Sequence, residues 1–406
     1  MDPAGQSAEA PPQAGVQAAG AVPLIGFYVL YFASTGIILP FLPAYFKSAG
    51  LSGAQIGILL ALQPTFSMFA PPLWGWIADR FGRPDRVLSV IASGAALGFL
   101  PLAFARSFPA FLVAMAGYAF FASSITTLLD SMALHRVSLV GGTYARIRMF
   151  GSMGFVVSTT AFGLAVAQVD RRAVLVPLAL ISAYALWSFG IRARSAKVPP
   201  QHPLAALGLL RYRDLALMLA ASALHWIACA PYHAVFGIHV LAIGLEPWVV
   251  GVSAGLGVGA EIAAMYFFPR LAKVMAPRHI LVASFAISAL RWLGMSLVTS
   301  APALLALSLL HGFSFGAFYI AGVTYVARRV PDAMRASGQA LMVSVTYGVG
   351  GLIGYLGAGS GYEWLGGFRL FGVAAAVELL PMLLILGVRE ASVTRTALEA
   401  QIARPS

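Results

Sequence analysis

Long apolar stretches with very little charge dominate the pattern of hydrophobic and polar positions along this chain. They fall at 22–46, 53–77, 87–105, 108–133, 149–168 and 172–190, then at 214–242, 246–268, 280–299, 301–326, 337–360 and 366–388. Most approach or exceed the roughly 20 apolar residues that carry an α-helix across a bilayer core. Backbone amides find no water in lipid, so such stretches are expected to be helices, and the chain an all-α membrane protein with twelve transmembrane helices. The longest gap, 191–213, lies at the midpoint and holds five basic residues with Pro199, Pro200 and Pro203. The expected organisation is a tail (1–22), a six-helix bundle (23–190), a cytoplasmic linker (191–213), a second six-helix bundle (214–389) and a tail (390–406). Two such bundles around a central cavity are the arrangement of a duplicated transporter. Residues 1–22 contain no Lys or Arg. They lack the basic start of a signal peptide, so a disordered cytoplasmic tail on an uncleaved first helix is expected.

Composition sharpens this reading. The 406 residues are 60% hydrophobic and only 10% charged, with a mean hydropathy of +0.85. A soluble domain needs about a quarter of its residues charged to cover its surface. The net charge of +12 does not mark a nucleic-acid binder, because the basic residues sit in short runs between the apolar stretches. With the N-terminus placed in the cytoplasm, 20 of the 26 Lys and Arg fall in cytoplasmic segments and five on the other side, with Arg291 alone inside a span. That asymmetry places both termini inside and makes the inner, plasma membrane the expected location. The single cysteine, Cys229, excludes an internal disulfide and a cysteine-based metal cluster, and is read as a packing residue. No HExxH or phosphate-binding loop occurs, and Gly359-Ser360-Gly361 lacks the glycine two residues before the serine that a GxSG motif requires, so neither an intramembrane enzyme nor ATP-driven transport is expected. No cofactor is implied beyond an ion gradient, and a monomer suffices.

The second gap reads Gly75-Trp76-Ile77-Ala78-Asp79-Arg80-Phe81-Gly82-Arg83. Glycines there permit a tight turn between helices, while Asp79 can pair with an arginine and cap the next helix. The segment resembles the GxxxDRxGR motif of the major facilitator superfamily, which makes Gly75, Asp79, Arg80, Gly82 and Arg83 an expected conformational gating loop. A closer resemblance, to the phenylpropionate permease family and through it to lactose permease, covers most of the chain. It is carried by Gly36-Ile37-Ile38-Leu39-Pro40-Phe41, Tyr144-Ala145-Arg146-Ile147-Arg148-Met149-Phe150-Gly151-Ser152, Arg291-Trp292 and Leu310-His311-Gly312-Phe313-Ser314-Phe315.

A charge at the centre of a spanning helix costs about 2.5–3.5 kcal/mol on insertion scales, so each one asks for a reason. Glu261, Arg291 and His311 lie on three neighbouring helices of the second half, and a protonatable acid beside an arginine is the minimum that proton coupling requires. The resemblance to lactose permease implies the same use of such a set. Glu261 is then the expected proton carrier, with Arg291 driving its deprotonation and His311 linking it to the cavity; a structural charge pair is the alternative. In the first half, Asp130 and Arg148 stand 18 residues apart on consecutive helices, and Phe155 lies seven residues further on the face of Arg148, about 10 Å along the helix. The resemblance implies a substrate site there.

An arginine with an aromatic ring suits a carboxylate on an apolar body, and Asp130 with Phe155 suits a sugar equally well. In helix 7, His225, Tyr232 and His239 recur every seven residues, with His233 nearby, and Tyr31, Ser34 and Thr35 form a similar stripe in helix 1. His225, Tyr232 and Tyr31 are carried forward as expected substrate contacts. Glu378 has no evident partner in the sequence. The expected function is proton-coupled symport of a small organic solute by alternating access. An aromatic carboxylic acid is the first choice of substrate and a sugar or nucleoside the alternative, while a non-transporting scaffold or sensor is the rival class.

Overall fold

A computed structural model describes residues 17–195, 205–330 and 334–388. The outer tails, Lys197 and the three linker prolines lie outside the described residues. The structure is all-helical, and its spans follow the apolar stretches. The first half comprises α1 (Ala21–Ser48), α2 (Gly53–Ser67) continued by α3 (Ala70–Phe81), α4 (Pro84–Phe99), α5 (Phe108–Ala122) continued by α6 (Ile125–Val140), α7 (Tyr144–Ala165) and α8 (Arg172–Ser188). After a 3-10 turn at Ala205–Arg211 come α9 (Arg213–Ala242), α10 (Pro247–Val274) and α11 (Pro277–Met295). The tenth span joins α12 (Ala301–Leu309), a π-helical turn at Gly312–Ala317 and α13 (Phe318–Arg329). The rest joins α14 (Arg335–Val343), a second π-helical turn at Ser344–Val349, α15 (Gly350–Val377) and α16 (Leu379–Leu386).

Among the described residues, nine helical segments are long and apolar enough to cross a membrane. The longest, Ser337–Leu386, is broken at Gly366, whose φ of 70° and ψ of 175° lie outside helical space, so it makes two spans. Arg172–Ser188 and Pro277–Met295 are shorter or more polar, and with them the architecture is consistent with twelve. Proline marks the start or the bend of many spans, as at Pro84, Pro247 and Pro277 in first turns and Pro40, Pro64 and Pro231 in interiors.

The halves meet along α2 with α15 and along α7 with α10. Glycine makes these approaches possible. A Cβ on Gly53 would overlap the carbonyl oxygen of Gly359, and one on Gly251 would overlap that of Thr159. The Glu363 carboxylate accepts the Ala54 N–H at the N-terminus of α2 (3.2 Å), adding an anion to the positive end of that helix. All these contacts lie at the end of the molecule away from the basic connections. At the basic end the corresponding segments pack within their own halves, α3 against α4 and α6, α14 against α13 and the 205–211 turn. The molecule is therefore sealed at one end only.

The gating loop departs from expectation in two ways. Gly82 does take a left-handed φ of 62° and ends α3, as a tight turn requires. Asp79, however, is exposed and pairs with no arginine among the described residues. The bidentate pair is instead Arg83 with Asp85, at 3.0 and 3.1 Å, and no side chain caps α4. The Asp85 bond holds the Arg83 guanidinium above its ordinary pKa. Arg80 lies over Trp76 (5.4 Å to the ring centre). At Gly75 a Cβ would meet nothing within 4 Å, so that glycine serves no close approach here.

Candidate functional site

α1 and α7 build the first-half side of the site. Tyr28 donates its hydroxyl to Asp130 Oδ1 on α6 at 2.5 Å. One turn further along α1, Phe32 lies flat beneath the Arg148 guanidinium, 4.0 Å from its centre, while the Tyr28 ring is 5.9 Å away. Arg148 makes no ion pair among the described residues, so the pair between Asp130 and Arg148 that could have tied the two helices is not formed. The expected contact Tyr31 is displaced from this role. It is buried and faces Phe32 (5.1 Å) and Tyr184 (5.8 Å) inside the bundle. At about 100° per residue Tyr31 lies on the far side of Tyr28 from Phe32, which turns it towards Tyr184 on α8.

The second-half side is a row of three groups. Arg291, fully buried on α11, donates from Nη1 to His311 Nδ1 at 3.0 Å, and its guanidinium lies 4.2 Å from the Tyr232 ring and 4.6 Å from that of Trp292. Its Nε and Nη2 have no hydrogen-bond partner, so ring faces take the place of acceptors. Because arginine is always a donor, His311 accepts at Nδ1 and carries its proton on Nε2. That nitrogen faces Glu261 Oε2 at 4.0 Å, too far for a hydrogen bond. The expected direct action of Arg291 on Glu261 is thus corrected: His311 stands between them.

A cavity of about 60 Å³ lies between the halves, and Asp130, Arg148 and Glu261 are not among its lining residues. Phe155 lines it from α7, Tyr232 and His233 from α9, Val258 from α10 and His311 from the tenth span. His311, Phe315 and Tyr319 stack in sequence, with interplanar angles of 14° and 6°, along the π-helical turn. A π turn inserts an extra residue and re-aims side chains, a device that recurs at functional sites. Tyr28, Phe32, Phe315 and Tyr319 were all missed by the sequence reading, although their four-residue spacing beside Asp130, Arg148 and His311 was available as a signal.

The helix 7 stripe does not survive as a single face. His225 is fully buried away from the cavity, with Nδ1 at 2.9 Å from Glu378 Oε1 and Nε2 at 2.8 Å from the Ser314 carbonyl. His225 is therefore a core residue rather than a substrate contact. Glu378, which had no evident partner, has two, since Trp292 Nε1 also donates to it at 3.1 Å. Cys229 joins this buried group, its sulfur 3.6 Å from His225 Nε2. His239 packs on Phe368 and Phe371 at the sealed end. Only Tyr232 of the three lines the cavity.

Residues 22–373, well over half of the chain, match the model of the MFS_1 like family. The chain belongs to that family. Among relatives of this MFS_1 like protein, "Maltose permease" of Geobacillus stearothermophilus is 29% identical over 378 residues, covering 90% of this chain and 94% of the relative. "Probable 3-phenylpropionic acid transporter" of Escherichia coli (strain K12) is 29% identical over 374 residues, covering 88% and 95%. In fold, the structure resembles that of the nucleoside transporter NupG, with a TM-score of 0.82 at 17% identity over 92% of this chain and 99% of the other. The match establishes a multi-pass transporter of the major facilitator type that handles a small molecule within the membrane.

Proposed function

We propose that this transporter is a proton symporter for a small organic anion, an aromatic carboxylate, working by alternating access. The observation that carries the reading is Arg148, a cation over the Phe32 ring with no ion pair among the described residues, on the half opposite Glu261. A substrate carboxylate completes Arg148 through paired charge-assisted hydrogen bonds. Its ring then packs in the cavity among Phe155, Tyr232 and His311. An ionised Glu261 competes with that carboxylate for Arg148, and a protonated Glu261 does not. Proton and substrate thus bind together and leave together. His311 Nε2–H is poised 4.0 Å from the Glu261 carboxylate to receive it once ionised. One sealed end and one unsealed, basic end correspond to one of the two states the cycle requires, open to the cytoplasm if the basic connections lie there. The 29% identity to a probable 3-phenylpropionic acid transporter supports the substrate class.

A sugar is the second reading, favoured by the relative named maltose permease and by Asp130, whose Oδ1 already accepts a hydroxyl from Tyr28. The test is proton uptake, read by a pH-sensitive dye inside proteoliposomes, on addition of aromatic carboxylates, sugars and nucleosides, for wild type and Glu261→Gln. Wild type should acidify the vesicle interior with carboxylates, one proton per anion and so without net charge movement, and the variant should not, while it still exchanges labelled substrate. Undiminished proton-driven accumulation by Glu261→Gln would reject the coupling role. Proton uptake with sugars alone would reject the substrate class.

A further inference from the structure

A cavity of about 890 Å³ opens on the outside of the first half, far from the substrate site. Its floor is the start of α4, and its sides are the end of α5, the chain leaving α8 and the segment at Gln17. Gln17 and Arg194 are locked by two backbone hydrogen bonds, 3.0 and 2.9 Å, and Ser195 N donates to the Gly82 carbonyl at 3.2 Å, so the walls are held in place. At the basic end the rim carries Arg83, Arg86, Arg192 and Arg194. Asp85 neutralises Arg83, whereas Arg86, Arg192 and Arg194 are exposed and meet no carboxylate among the described residues. From that rim the wall turns apolar. Val90 and Leu97 stand seven residues apart on one face of α4, about 10 Å along the helix, and both are exposed, as is Phe189 opposite.

We infer that this cavity binds an anionic phospholipid, with the headgroup phosphate held by Arg86, Arg192 and Arg194 and an acyl chain lying along Val90 and Leu97. Three guanidiniums without anions at one end and an exposed apolar wall running towards the bilayer core fit an amphiphile with a phosphate head. They fit neither a soluble anion, which has no use for the wall, nor a zwitterionic lipid, whose choline would meet the arginines. Arginine also suits phosphate through its planar fork of donors. Occupancy would bridge α4 to the chain after α8, beside the Gly82 turn, without touching the cavity between the halves.

The experiment is native mass spectrometry of the full chain in detergent, titrated with phosphatidylglycerol or phosphatidylcholine. Wild type should retain one phosphatidylglycerol more tightly than R86Q/R192Q/R194Q by about 100-fold, at about fivefold per basic residue near an anionic lipid. If the triple variant fails to fold, R86Q alone should show the fivefold loss, with an unchanged melting temperature as control. Leu97→Asn should weaken the lipid and leave glycerol phosphate, the soluble headgroup, unaffected. Equal retention by wild type and the arginine variants would overturn the proposal. So would equal retention of phosphatidylcholine, or displacement of the lipid by glycerol phosphate at equal concentration.

Discussion

Replacing Glu378 tests whether the buried group around His225 is a support of the second half. The Ser314 carbonyl can only accept, so His225 Nε2 carries a proton. One further proton lies between His225 Nδ1 and the Glu378 carboxylate, and the pair is neutral overall whichever atom holds it. Glu378→Gln preserves this geometry: the amide oxygen accepts from Trp292 and the amide nitrogen donates to Nδ1. The expected cost is about 1 kcal/mol, the net worth of one altered hydrogen bond. Glu378→Leu instead leaves the Trp292 indole N–H and His225 Nδ1 without partners where no water reaches, since Glu378 and His225 are 0% exposed. Two such groups cost about 1–3 kcal/mol each, close to the 3–5 kcal/mol expected when a buried pair loses one member. For a cooperative unit the size of one half, that is a fall in Tm of about 6 °C or more. Intrinsic tryptophan fluorescence during heating in detergent reads it directly. The double variant His225→Phe/Glu378→Leu should lose less than the sum of its parts, because the stranded imidazole is gone. A Glu378→Leu protein melting within about 1 °C of wild type would refute the argument, and strict additivity in the cycle would refute the pairing.

Three further outcomes follow from the geometry. Gly359→Val inserts side-chain atoms where Gly53 and Gly57 already touch the backbone, so the sealed end should spring apart; spin-label distances across α2 and α15 should lengthen there, and an unchanged distribution would count against glycine contact as the seal. Arg148→Lys keeps the charge but loses the flat stacking on Phe32 and the forked donors; carboxylate affinity should fall about tenfold, some 1.4 kcal/mol by calorimetry, and wild-type affinity would remove Arg148 from the site. Asp170, outside the spans, has its carboxyl held below the usual range by its hydrogen bond to the Arg172 side chain. A depressed acid stabilises above its unfolded value of about 4, and the contribution disappears as pH falls through the folded value. Asp170→Asn should therefore melt slightly below wild type at about pH 7 and level with it in strong acid. The difference should be small, because both side chains are about half exposed.

How far the site was legible depends on which contacts are local. Phe155 could be placed with Arg148 because both sit on α7, where helix geometry fixes their relation, and the cavity between the halves does include Phe155. The assignment of Arg291 to Glu261 failed because it depends on how α10, α11 and the tenth span are rotated about their axes. A hydrophobic pattern that is apolar all round leaves that rotation undetermined. The same ambiguity put His225 in the cavity when it belongs to the core, and left Glu378 without the partner that lies 153 residues away. The π-helical turn at Gly312–Ala317 adds a further shift that no periodicity would show.

By itself the sequence determined that the chain lives in a bilayer, where its spans lie and which connections are basic. Those facts rest on burying backbone amides in lipid and on charge asymmetry, both of which are sums over local composition. Tertiary structure alone decided which buried charged groups meet which partners: Arg291 on His311, Glu378 on His225 and Trp292. Helices in lipid gain little from hiding apolar faces, so close backbone packing at glycines and a few polar contacts set their rotation. Those contacts join residues far apart in the chain, and only the assembled bundle brings them together.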